Sequence, residues 1–256
     1  MKVAICLLTL NNFQWTKACI ESIEKHTQKQ LYDLYILDNG SSDGTVEYLK
    51  ENKYKVLFMT SNVGIIVGRN LVTKFARRNG FYDYICQIHN DMLFTDNWLD
   101  IMLKTIQSDE KCLLLGIANI INRNPLDLSD DIRNSLAIAC RDDKIGRANL
   151  DPRLIHNNAY DLIGFYDESF IEQDCEDCDF NKRVEDAGYK FLATNRAVIW
   201  HPWQTTRKSL PNASEYSKRN IETFKKKHGG VGVENWNSNR KYSKSIDGKL
   251  LFLTGV

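Results

Sequence analysis

The chain lacks a long hydrophobic run. None of its stretches reaches the roughly 20 apolar residues of a membrane-spanning helix. The opening "MKVAICLLTL" has a short apolar part, Lys2 as its one positive residue and no small-residue cleavage site after it. It therefore reads as a first buried strand and not as a secretion signal. A disulfide framework is missing too. Seven cysteines are an odd number without regular spacing, which points to free thiols in a reducing compartment and to a cytoplasmic protein. Cys175 and Cys178 form one C-x-x-C with no second pair to complete four zinc ligands, so they read as packing thiols. There is no internal repeat, no low-complexity tract, and no glycine-rich phosphate loop with a following lysine.

Net charge is nearly absent, at +1 over 256 residues, but its distribution is uneven. From Trp203 to Lys249 eleven basic residues face four acidic ones, an excess of seven, and the rest of the chain holds a net −6. An acidic body with a basic tail suits a polyanionic partner or an anionic membrane surface, and a solvated helix face accounts for it equally well.

What is present is alternation. "KVAICLLTL", "YDLYILDNG", "KVLFMTS", "YDYICQI" and "CLLLGIANI" have strand character. Between them "WTKACIESIEKH", "SSDGTVEYLKEN", "IIVGRNLVTKFARR" and "NWLDIMLKTIQ" carry helical spacing, the second with Ser, Asp and Thr available as caps. Strands joined by helical crossovers imply an α/β domain with a mostly parallel sheet covered on both faces. Residues 122–158 read as irregular and polar, with room for long loops.

Ligands of such sheets gather beyond the carboxyl ends of the strands. Here "LTLNN", "LDNGSSDGT", "TSNVG" and "HND" follow the first four strands in turn. Any one of them is an ordinary turn. Four on one edge indicate a polar pocket.

Five pieces in fixed order, "VAICLLTLNN", "YILDNGSSDGTVEYL", "SNVGIIVGRN", "QIHNDMLFTDNWL" and "IGFYDESFIEQDCEDCDFNKRVEDAGYK", with a later "WHPWQTT", resemble glycosyltransferase family 2, the nucleotide-sugar enzymes of GT-A fold. The resemblance spans Lys2 to Thr206 and implies a Rossmann-like GT-A domain over 1–206, followed by a basic, partly helical extension over 207–256. It also implies an inverting, metal-dependent transfer of sugar from a nucleotide diphosphate.

The residues that would do this follow from the resemblance. The family's D-x-D-like triplet is His89, Asn90, Asp91 here, so the last acid is kept and His89 replaces the first. Asp91 is the expected metal ligand, with His201 as the second, and Asn90 falls on the donor side. A hard divalent cation, Mn²⁺ or Mg²⁺, suits a diphosphate, and Mn²⁺ also accepts imidazole. Asp91 could instead cap the turn before Trp98. Thr9, Asn11, Asp38 and Asn39 would meet the base and ribose. Asn39 offers both a donor and an acceptor, which fits uracil and other bases alike. Asn62, Gly64, Arg69 and Asn70 match the third piece. Gly64 would permit close backbone approach, and Arg69 would reach the diphosphate or lie on a solvated helix face.

Of the acid pair, Asp177 is expected as the base that takes the acceptor's proton, with Glu176 orienting the acceptor; the reverse assignment stays open. Asp174 and Asp179 read as acids favoured at a helix N-terminus. Trp200, Trp203 and Trp236 could stack on sugar or base, or fill the core. The acceptor class reads as a glycan or lipid-linked glycan, with a nucleic acid as the alternative suited to the basic tail. A nucleotidyltransferase and a non-catalytic nucleotide-sugar-binding module are the competing functions.

Overall fold

The structure is a computed structural model that describes residues 1–121, 126, 128–147, 151–172, 174–201 and 213–236. In chain order the elements are β1 (Val3–Thr9), α1 (Phe13–His26), β2 (Tyr32–Asp38), α2 (Thr45–Glu51), β3 (Lys55–Phe58), α3 (Ile65–Asn79), β4 (Tyr84–His89), β5 (Leu93–Phe94), α4 (Trp98–Gln107), β6 (Cys112–Ile121), α5 (Asp130–Cys140), β7 (Ile145–Gly146), β8 (Arg153–His156), α6 (Ala159–Leu162), α7 (Glu176–Asp186), β9 (Lys190–Trp200) and α8 (Ala213–Lys227).

The strands form one sheet in the order β3-β2-β1-β4-β8-β6-β9-β5, with β7 also on β9. Strands β3, β2, β1 and β4 run parallel. The short β8 is inserted antiparallel between β4 and β6, and β9 runs parallel to β6. Strands β1, β2, β3, β4, β6 and β9 therefore all end on one edge. Register aligns Thr9 with Asp38, and Leu8 with His89, along that edge.

Alternation along β1 divides the core. Val3, Ile5 and Leu7 pack with Cys19, Ile20 and Ile23 of α1 and with α4, whose Trp98, Leu99, Met102, Leu103 and Ile106 recur at helical spacing. Ala4, Cys6 and Leu8 face α3, α7 and α8. At Gly68 of α3 an added Cβ would lie 2.7 Å from Leu8 Cδ1, so a glycine lets the helix approach the sheet.

Two expectations change, on residues 122–158 and on the cap of α2, and Trp200 and Trp236 follow the core-filling alternative. Residues 122–158 are not only loops: Ser129 caps α5 by accepting from the Ile132 N–H, and Leu136, Ala137 and Cys140 enter the core. The cap of α2 is Gly44, with Asp43 accepting from the Thr45 N–H and hydroxyl. Trp200 and Trp236 are buried in the two core clusters, whereas Trp203 lies outside the described residues. All seven cysteines are buried free thiols. No helix among the described residues is long and apolar enough to cross a membrane.

The helix of the basic extension packs into the body. Phe224 of α8 is fully buried and belongs to the same cluster as Phe180 and Phe191. The 206/207 boundary falls among residues outside the description. Of the eleven basic residues, Lys218, Arg219, Lys225, Lys226 and Lys227 lie on α8, and the other six lie outside the described residues.

Candidate active site

The first half of the site is built where strand order reverses, between the ends of β1 and β4. Asn11 and Asn12 both take left-handed backbone angles, φ 53° and 59°, which asparagine tolerates better than most residues. That sharp turn brings Asn11 over the next loop, where its side-chain oxygen accepts from the Ser42 N–H at 2.8 Å. Asn90 is buried, and its amide nitrogen lies within 3.1 Å of Thr9 Oγ1, Thr16 Oγ1 and the Asn11 carbonyl. Its amide nitrogen thus ties β4 to β1 instead of standing open to a donor sugar.

At the end of β2, Asp38 is fully buried; Oδ1 accepts from the Gly40 and Ser41 N–H groups, and Oδ2 has no partner among the described residues. Asn39 accepts from the Val63 N–H at 2.9 Å and donates to Asn62 Oδ1 at 2.7 Å. Asn62 Oδ1 also accepts from the Gly64 N–H. These two amides brace the loop after β3. Gly64 has φ 82°, and an added Cβ would meet nothing closer than 3.9 Å, so glycine is needed there for its backbone angle and not for a close approach within the protein. Asn70 donates to the Tyr166 carbonyl and Glu168 and accepts from the Tyr166 N–H, so its amide holds the 166–168 segment.

Arg69 is neither solvated nor on an exposed helix face. It is 4% exposed. Its NH2 lies 2.7 Å from His89 Nε2 and 3.4 Å from both oxygens of Asp151, and its NH1 lies 3.6 Å from Glu176 Oε1. Burial raises the cost of charge on Asp151, but Arg69 and His89 outweigh it and hold the carboxyl well below the usual range. Asp151 has no counterpart among the residues expected from sequence. It falls in the stretch read as irregular, where an Asp before a proline signals only a turn.

Asp91 and His201 meet where β4 and β9 end. His201 Nε2 lies 3.2 Å from Asp91 Oδ1. The His201 ring stacks parallel to that of His89, with centroids 6.5 Å apart. Asp91 does not cap α4; Asn97 occupies that position, with no side-chain cap. A carboxylate and an imidazole side by side are a donor pair that would suit a divalent cation. No cluster of three or more ligating side chains occurs among the described residues.

The acids Glu176 and Asp177 open α7, after a left-handed Cys175 at φ 69°. Glu176 is buried, with Oε2 unpartnered among the described residues, while Asp177 is half-buried and accepts from the Cys178 N–H. Burial and the neighbouring Asp177 push the Glu176 carboxyl up to about 8, against the opposing pull of Arg69. Asp179 lies in the first turn of α7, as expected of a helix-entry acid. It is fully buried and accepts from Arg183 and His228.

Comparison with known proteins bears on the family and the fold. The family profile described as glycosyl transferase family 2 matches residues 4–172 and stops short of the acid pair. A Rickettsia felis protein named "uncharacterized glycosyltransferase" is 30% identical over 111 residues, 42% of this chain and 18% of the relative, so this chain spans less than a fifth of that protein. Among solved structures, S. aureus TarS 1-349 superposes with a TM-score of 0.58 at 14% identity over 78% of this chain and 60% of its own. The mannosyltransferase PcManGT from Pyrobaculum calidifontis, solved with GDP-Man and Mn²⁺, gives a TM-score of 0.62 at 12% identity over 99% of this chain and 70% of its own. The fold is GT-A, and with the family profile covering most of its length, the chain belongs to glycosyl transferase family 2.

Proposed function

We propose that the protein is an inverting, metal-dependent glycosyltransferase that moves a sugar from a nucleotide-diphosphate donor to an acceptor hydroxyl. The observation that carries this reading is the meeting of Asp91 and His201 at 3.2 Å on the sheet edge where the other expected donor residues gather. Those two side chains would hold the cation, which when bound supplies Lewis-acid stabilisation to the departing diphosphate. TarS has been solved with UDP, and PcManGT with GDP-Man and Mn²⁺; both are in keeping with a nucleotide-sugar donor here. Thr9, Asn11 and Asp38 are assigned to the base and ribose; Thr9 and Asp38 are buried at that edge, and the second oxygen of Asp38 has no partner among the described residues.

Glu176 retains its proton near neutrality because burial and Asp177 disfavour its charge. Asp177 is then the member of the pair that accepts a proton from the acceptor hydroxyl. The acceptor oxygen attacks the anomeric carbon as the bond to the diphosphate oxygen breaks on the opposite face. Arg69 lies against Glu176 from the other side, its NH1 3.6 Å from Oε1. It serves the site as a buried hub and not as a direct diphosphate ligand. The acceptor is a glycan or lipid-linked glycan, used by a protein of the cytoplasm. Exposed Lys218, Arg219 and Lys226 on α8 support an anionic acceptor or a membrane surface nearby.

The test is a screen of nucleotide sugars with Mn²⁺, reading released nucleoside diphosphate. Release from at least one donor, abolished by a chelator and restored by Mn²⁺, is expected. Release that survives chelation overturns the metal assignment, and no release from any donor overturns the activity.

A further inference from the structure

The face that α8 turns toward the body carries Ser217, Asn220, Phe224 and Lys227, at steps of three and four residues, and His228 is the first residue beyond the helix. Ser217, Asn220, Lys227 and His228 each touch the segment that delivers the acid pair or the helix that begins with it, and Phe224 lies in the same core cluster as Phe180 of that helix. Asn220 is fully buried; its side-chain oxygen accepts from the Ile171 N–H at 3.0 Å, and its nitrogen donates to the Ile171 carbonyl at 2.8 Å. Ser217 donates to Asp174. His228 and Lys227 each reach Asp179 Oδ1 at 2.8 Å, and Lys227 also reaches Asp167. Phe224 packs against His228, with ring centroids 4.5 Å apart.

The segment so held is strained. Glu172, Asp174 and Cys175 have φ values of 60°, 76° and 69°, in a region that non-glycine residues rarely adopt. Such a backbone persists only where its surroundings over-determine it. The clamp comes from a helix distant in sequence, and the acids it would aim are the next two residues.

We propose that α8 is a positioning element of the active site: Asn220 clamps the strained approach to α7, and His228 anchors α7 through Asp179, so that together they set where Glu176 and Asp177 stand. This rests on the assignment of that pair to the acceptor side of the reaction. None of the α8 residues belongs to the donor half.

The test uses the full chain and four variants, Asn220→Ala, Ser217→Ala, His228→Ala and His228→Gln, the last keeping an N–H donor for Asp179. Affinity for UDP and GDP with Mn²⁺ is measured by calorimetry, nucleoside diphosphate release by the screen above, and backbone hydrogen exchange along the chain. Asn220→Ala and His228→Ala are expected to lower turnover by at least about tenfold, with nucleotide affinity within about twofold of the parent and faster exchange confined to residues 171–179. Ser217→Ala should fall between these and the parent, and His228→Gln should stay close to the parent. Unchanged turnover, unchanged exchange at 171–179, or turnover and nucleotide affinity falling together would overturn the proposal. Should Asn220→Ala fail to fold, the His228 pair decides. Should the parent turn over no donor, the proposed function fails, and the exchange pattern alone decides whether α8 holds this segment.

Discussion

Arg69 of α3 places its NH1 3.6 Å from Glu176 Oε1, joining the helix after β3 to the helix that carries the acid pair. The same guanidinium meets His89 and Asp151. Arg69→Met removes a buried cation and leaves Asp151 with its partial burial and no guanidinium. Breaking a buried ion pair costs about 3–5 kcal/mol, and a loss of that order in urea unfolding is expected. Arg69→Lys should recover only part, since an ammonium cannot span three partners as a planar fork does. A Met variant as stable as the parent would show that the hub is energetically idle.

The raised Glu176 carboxyl sets a pH dependence of stability. The folded state keeps a proton there that the unfolded chain releases near pH 4.3, so proton binding favours the fold. That contribution is present below about pH 4 and is lost as pH rises through about 8. Glu176→Gln should therefore be more stable than the parent at pH 8 and show a flatter profile between pH 4 and 8. Parallel unfolding curves for the two proteins over that range would contradict it.

Asp130 works in the opposite direction. Burial opposes its charge, but Lys25 and His26 hold the carboxyl down to about 2. His26 is buried between Asp130 and Asp96, at 3.1 and 2.6 Å. The stability contributed by Asp130 is present above its unfolded value of about 3.9 and fades as pH falls toward 2. Asp130→Asn should lower the midpoint at pH 7 and narrow its gap to the parent at pH 2. A gap that is constant with pH would exclude the linkage.

Asp177→Asn preserves size but cannot take the acceptor's proton. It should bind UDP or GDP with Mn²⁺ as the parent does while turning over about 10²- to 10⁴-fold more slowly. Glu176→Gln should keep more activity than Asp177→Asn. The reverse ranking would move the base one residue back.

Much of the fold is legible in the sequence. Polar residues at four successive strand ends marked the edge on which Thr9, Asp38 and Asp91 sit, because apolar runs locate strands and their ends follow. Burial of a charge was not legible. Arg69 shares the inward face of α3 with Ile66, Gly68 and Val72, and a sequence pattern reads any arginine as outward. The bracing role of the asparagines is not legible either: Asn39, Asn62, Asn70 and Asn90 match ligand-binding positions, and their amides also brace loops, which spacing does not reveal. Helix α5 did announce itself through Ser129 and the two acids after it, yet its polar content masked the signal. The docking of α8 depends on Asn220 meeting Ile171 and His228 meeting Asp179, contacts between distant segments that no local pattern carries.

The central claim, that Asp91 and His201 form a cation site beside the donor diphosphate, is tested most directly by Mn²⁺ titration in the presence of UDP or GDP, following the free-ion signal by electron paramagnetic resonance. Asp91→Ala and His201→Ala are predicted to weaken Mn²⁺ binding by at least about tenfold, whereas His89→Ala, which removes a ring facing Arg69, and Asp177→Asn should bind nearly as the parent does. Undiminished binding in both Asp91→Ala and His201→Ala, or an equal loss in Asp177→Asn, would contradict the account.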